Sequence, residues 1–244
     1  MSSESPQPAP TPVAPGEVVD SLTDPRVITL LTTEHWSILS ARSLAYNEAF
    51  VRAGMFLTFL SMSFVALGLL AQATGFGRDF LAIATAILAF DFVIGLTTYG
   101  RILGANEDDL RAVHGMARIR HGYTQIAPIV GRYFTSPIHD DVASVSLTYG
   151  PPSQSVIGDV LYGFSTSAGM IGLIVAMIAG VLGTVVGLLI GIGVGVAVWI
   201  GLAVAVIVFG ALLAWVLIGV PRAQAALGSL FPAPPQEPAD AAMD

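Results

Sequence analysis

The chain has 244 residues, of which 54% are hydrophobic and only 11% charged, and its formal net charge is −7. Soluble domains are typically ~25% charged, so a large share of this chain has lipid as its solvent. The absence of cysteine, an all-arginine basic set and the acidic balance exclude disulfides, thiolate metal sites, cysteine nucleophiles, lysine Schiff bases and a nucleic-acid-binding domain.

Residues 1–26 are rich in Ser, Pro, Ala and acid, which predicts a disordered tail. They lack the basic start and apolar core of a secretory signal, so the first span is expected to direct insertion. Residues 27–52 predict an amphipathic interfacial helix, capped by Thr32 or Thr33 with Glu34 in its first turn. Trp36, Leu39, Ser43, Tyr46 and Phe50 share one stripe, and Glu34, Arg42 and Glu48 the polar side. This helix either lies at the membrane surface or runs straight into the first span. The first span is expected at 53–76 and the second at 79–99, since ~20 apolar residues at 1.5 Å rise cross a bilayer. Gly75, Gly77 and Arg78 leave room only for a tight turn, so the two form an antiparallel hairpin ending at Gly100-Arg101.

Residues 101–165 are the one sizeable polar stretch and predict a helical loop. A helix is expected from Glu107-Asp108-Asp109, acids that suit a helix N-terminus, to just before Pro128. Ala112, Met116, Ile119, Tyr123 and Ile126 recur at alternating spacings of four and three, a coiled-coil-like seam. Arg111, His114, Arg118 and His121 fall on roughly the opposite side and predict a cationic face. That face suits anionic lipid headgroups, a partner or anionic ligand, or plain solvation. A second loop helix is expected to start with Ser136 as N-cap and Pro137 as its first residue. Asp140 and Asp141 would sit in its opening turn, and Gly150 after its end. Val156, Ile157, Val160, Leu161 and Phe164 suggest an interfacial lead-in to the next span. From Ala168 to Val220 there is no charge, and so long a run fits two spans, 166–190 and 196–220, broken at the glycine cluster 191–195. Residues 221–244 again predict a disordered tail, after a stop at Pro221-Arg222.

Nine of the ten arginines flank one side of these spans and only Arg78 the other. By the positive-inside rule both termini and the central loop are expected in the cytoplasm, with the protein in the cytoplasmic (inner) membrane.

Few residues carry candidate chemistry. Asp91 lies mid-span in Ala-Phe-Asp-Phe-Val, where an acid costs ~2.5–3.5 kcal/mol on insertion scales. Folding the hairpin about residue 77 places Ser63 opposite it, with Ser61 nearby. The functional reading is a proton or cation site, and the structural one a protonated or serine-bonded acid that holds the bundle together. Gly180, Gly183, Gly187, Gly191 and Gly195 mark close helix packing or the lining of an oligomeric pore. His139-Asp140-Asp141 is explained by a helix start without a metal, and two histidines seven apart do not share one. No hydrolase, zinc-protease or phosphate-loop motif is present, so no enzyme, cofactor or metal is expected.

The stretches RSLAYNEAFVRAGMFLTFLS, YGRIL and MARIRHGYTQIAP, between Leu31 and Phe134, resemble an uncharacterised type of bacterial multi-span integral membrane protein. The resemblance implies no activity and brings no site residues. The expected architecture is all-α and polytopic, with four transmembrane helices in two hairpins plus a cytoplasmic helical region. The expected partners are the lipid bilayer, further copies of the chain as a homo-oligomer, and a cytoplasmic protein. A small channel or transporter using Asp91 is the competing expectation.

Overall fold

The computed structural model describes residues 22, 24–150, 163 and 166–234. Among them there is no strand, and four helices are long and apolar enough to cross a membrane. The fold is an all-α, polytopic one.

Helix α1 runs unbroken from Pro25 to Thr74. Asp24 caps it by accepting from the Arg26 N–H at 2.8 Å, with proline at the first helical position. An acid cap followed by Pro is a stronger start than a threonine six residues into an apolar stretch. Thr33, expected near the start, instead bonds back to the Thr29 carbonyl inside the helix. The presumed interfacial helix is therefore the first half of one rod, about 75 Å long at 1.5 Å per residue. Gly75, at φ 66°, ends it where a side chain would strain the turn.

Helix α2 follows at once, Arg78–Ile126. The expected break at Gly100-Arg101 does not occur. A lone glycine costs a helix ~1 kcal/mol, and contacts hold the chain helical on both sides of it. Tyr99 and Ile102 are buried, and Arg101 reaches Glu48 of α1 at 2.7 Å. Glu107 and Asp108 thus sit in mid-helix, both facing Arg111.

Short 3-10 turns, Pro128–Tyr133 and Leu147–Tyr149, bracket the five-residue helix α3, Val142–Ser146. Asp141, not Ser136, caps α3, accepting from the Ser144 N–H at 3.0 Å. Gly150 follows at φ 101°. The apolar lead-in at 156–164 lies outside the described residues.

Helix α4, Ser167–Leu189, is capped by Thr166, and helix α5 runs Val194–Leu227. The turn between them needs the positive φ of Gly191, 89°. Pro221 does not stop α5. Its last turns are held because Ala223 and Leu227 pack on a cluster of Leu110, Val113, Met116 and Val145.

In space the order is α1, α2, α4, α5, with α2 against both α1 and α4 and α5 against α4. The intramembrane core joins Phe56 and Leu60 to Leu88 and Tyr99, then to Ile171, Val175 and Ile178, and to Leu212. At Gly95 three helices converge. A Cβ there would lie 2.8 Å from Val175 Cγ2 and 3.0 Å from Phe56 Cζ. Both long helices continue past the apolar spans on the same side. There they form, with α3 and the end of α5, a module with the small core around Met116.

Candidate functional site

Two polar centres are buried, one at mid-span and one in the extramembrane module. The first is Asp91, whose relative exposure is 1%. It shares a helical face with Ala84, Leu88, Gly95 and Thr98, all buried, so its carboxylate looks into the bundle. The Ser63 hydroxyl donates to Asp91 Oδ1 at 2.9 Å, and Oδ2 has no hydrogen-bond partner among the described residues. Ser61 is not part of this pair. Two residues along α1 it faces outward and donates to the Leu57 carbonyl. A shallow groove whose wall includes Ser63 and Phe90 lies beside the pair.

The second centre is larger and was not legible as a site. Asp140 is fully buried at 0% exposure. It accepts from the Ser229 hydroxyl at 2.7 Å, from the Leu230 N–H at 2.9 Å and from the Phe231 N–H at 2.7 Å. Arg118 Nε donates to its other side at 2.7 Å, while Arg118 Nη2 reaches the Gly228 carbonyl at 3.0 Å. Burial pushes the Asp140 carboxyl up. The Leu230 N–H, the Ser229 hydroxyl, Arg118 and the Phe231 N–H outweigh it, and hold the group well below the usual carboxylate range. Asp141 completes the seat by accepting from the Ala233 N–H at 3.0 Å. The segment after α5, expected as a free tail, is thus strapped across the module by two adjacent acids.

These contacts redistribute the expected cationic face. Arg118 is committed to Asp140, and Arg111 pairs with Glu107 and Asp108. His121 stacks on Phe231 with ring centroids 4.3 Å apart, and His139 lies 5.9 Å away. His114 is buried at 2% exposure, with neither ring nitrogen bonded among the described residues. Burial lowers its pKa, Arg118 adds to this, and Asp140 and Asp141 oppose it, so the ring is neutral at pH 7. Of the four, Arg111 is exposed, Arg118 and His121 are half-buried and His114 is buried.

A second ion pair braces the same module. Arg42 of α1 pairs with buried Asp109 of α2, and the Tyr149 hydroxyl donates to Asp109 Oδ2 at 2.7 Å. Burial and that bond to a carboxylate push the Tyr149 pKa far up, so its proton stays as donor. The available signal was spacing: Asp109, Val113 and Met116 follow the four-three rhythm of an inward face.

The seam of Ala112, Met116, Ile119, Tyr123 and Ile126 is used within the chain. Met116 and Ile119 are buried in the module. Of the glycines, Gly180, Gly183 and Gly187 bring α4 onto α5. A Cβ at Gly180 would meet Ala205 at 2.8 Å, one at Gly183 Val204 at 3.3 Å and one at Gly187 Ala197 at 3.2 Å. Gly191 belongs to the turn, and Gly195 opens α5 facing empty space.

Fold and site together define a four-helix polytopic membrane protein with a braced extramembrane module. No family model, curated protein or solved structure matches the chain, so function is read from the geometry alone.

Proposed function

We propose that the protein is a cytoplasmic-membrane assembly protein, acting by self-association and by partner binding at its cytoplasmic face. The arginine distribution supports that orientation: nine of ten arginines lie at the module's end of the spans or within it. The observation that carries the reading is an inversion of the module's surface. Two of its ion pairs, Arg42–Asp109 and Arg118–Asp140, set their carboxylates inward, while Arg111 with Glu107 and Asp108 stays at the surface. Trp36, Leu44, Tyr133 and Leu147 meanwhile stand exposed beyond the spans. Exposed apolar groups outside lipid mark contact surfaces. The test places photoreactive residues at Tyr133 and Leu147 in living cells and measures the particle mass in detergent. A discrete cross-linked adduct and a mass of two or more chains are expected. A monomer with no adduct would sink the proposal.

A second reading rests on the unpaired Oδ2 of Asp91. A buried acid with an unsatisfied oxygen suits a proton or monovalent-cation site. Proteoliposomes separate the two readings. Proton or cation flux that disappears in Asp91→Asn would establish the site, and absence of flux in the wild type would remove it.

A further inference from the structure

The arginines nearest the first two spans are gathered about one acid. Glu48 of α1 accepts from Arg52 Nε at 3.1 Å and from Arg101 Nη2 of α2 at 2.7 Å. A guanidinium has more donors than one carboxylate oxygen takes. Arg52 and Arg101 keep 53% and 40% of their side-chain surface exposed, and Arg101 Nε has no hydrogen-bond partner among the described residues. From Arg52 to the end of α1 at Thr74 the helix measures about 33 Å at 1.5 Å per residue, against a hydrocarbon core ~30 Å thick. Both arginines therefore stand at headgroup level. The groove beside Ser63 lies below them. It has a volume of about 430 Å³, walled by Phe59, Met62 and Ala66 of α1 and by Ile87 and Phe90 of α2. Helical spacing puts cluster and groove on one side of the hairpin. Glu48, Arg52, Phe59 and Ala66 recur at steps of four and seven along α1, and Arg101, Phe90 and Ile87 at steps of eleven and three along α2, all close to whole turns. Arg52 stands about 10 Å above Phe59, and Arg101 about 16 Å above Phe90.

We infer that this side of the α1–α2 hairpin binds one anionic phospholipid of the leaflet next to the module, its phosphate on Arg52 and Arg101 and one acyl chain in the groove below. Charge selects the class. Two arginines about one glutamate leave a single surplus positive charge. A phosphodiester without a compensating ammonium neutralises it, and a zwitterionic headgroup does not. Arginine suits the task because its planar fork matches phosphate oxygens. Glu48 is a positioning residue: by accepting from both arginines it holds guanidinium groups of two different helices within reach of one phosphate. Asp108, two turns further from the bilayer, is paired with Arg111. The groove distinguishes a lipid from free phosphate. Phe59 and Phe90 on its walls are 46% and 63% exposed, and an acyl chain hung from the arginines runs down between them.

The test titrates the purified full-length chain in detergent with phosphatidylglycerol or phosphatidylcholine of matched acyl chains and counts bound lipid by native mass spectrometry. One phosphatidylglycerol is expected to bind about tenfold more tightly than phosphatidylcholine, and Arg52→Gln to weaken it about fivefold. Arg52 lies on the exposed surface of α1, so its replacement leaves the fold intact. Ala66→Trp fills the groove from an exposed position and is expected to weaken phosphatidylglycerol about as much without touching the arginines. Arg78→Gln, at the far turn of the hairpin, is expected to leave the affinity of the first lipid unchanged. Equal affinity for the two lipids overturns anionic recognition, and an unchanged affinity in Arg52→Gln overturns the headgroup site. An unchanged affinity in Ala66→Trp reduces the site to one for phosphate alone and overturns the lipid assignment. A loss in Arg78→Gln equal to that in Arg52→Gln means diffuse attraction and overturns the site as well.

Discussion

Asp140→Ala tests the strap most directly. The wild-type carboxylate receives the Leu230 and Phe231 N–H groups, the Ser229 hydroxyl and Arg118. Alanine leaves two backbone N–H groups without an acceptor and Arg118 with only backbone carbonyls. Removing one partner of a buried, hydrogen-bonded ion pair costs roughly 3–5 kcal/mol. Arg118 keeps a third of its side-chain surface in water, 33%, so the lower part of that range applies, about 3 kcal/mol. That cost falls on strap docking and not on the spans, whose contacts are elsewhere. At 1.4 kcal/mol per decade the docked strap loses about two decades of population. Amide hydrogen exchange in nanodiscs reads this at Leu230 and Phe231, which should lose roughly a hundredfold protection, while amides of α4 stay unchanged. Protection at those two amides within threefold of wild type would refute Asp140 as the receptor.

Lowering the pH should destabilise the module through His114. Its folded pKa is below the ordinary 6.5, so below 6.5 the unfolded state binds more protons and stability falls. His114→Leu should flatten the melting-temperature profile between pH 5 and 7, and an unaltered profile would show the loss arises elsewhere. Tyr149→Phe removes a donor to buried Asp109 and should cost about 1–2 kcal/mol of module stability, read by chemical denaturation in nanodiscs; no change would mean water replaces the hydroxyl. Gly201→Ala should lower the melting temperature, because its Cβ would sit 2.0 Å from Thr184 Oγ1 and 2.5 Å from the Gly180 carbonyl. Overpacking of this kind costs ~1–3 kcal/mol. Gly195→Ala, facing open space, should be neutral, and equal effects of the two would contradict the α4–α5 contact.

The spans were legible because bilayer thickness acts on residue count alone: about 20 apolar residues cross, and a charge-free run of twice that length folds back. Ser63 and Asp91 meet because a tight turn at 75–77 fixes the hairpin register. The helix ends were not legible for a different reason. Gly100 and Pro221 are local stop signals whose cost is small beside what continuation gains. Past Gly100, α2 gains the Arg101–Glu48 pair and burial of Ile102. Past Pro221, α5 gains the packing of Ala223 and Leu227. Those gains come from residues far along the chain, which propensity does not weigh.

Asp140 shows the same limit at the level of a site. Beside Asp141 it reads as half of a helix start, and Asp141 does cap α3. Asp140 is freed from that task because one carboxylate suffices for the cap, and its partners in the strap lie 89 to 91 residues onward. The strap has a structural consequence. It ties the end of α5 to the loop after α2, so the two hairpins are joined at the module as well as through their spans. α1 and α2 pass without a break from span to module, so the strap ties the end of α5 to helices that themselves cross the membrane.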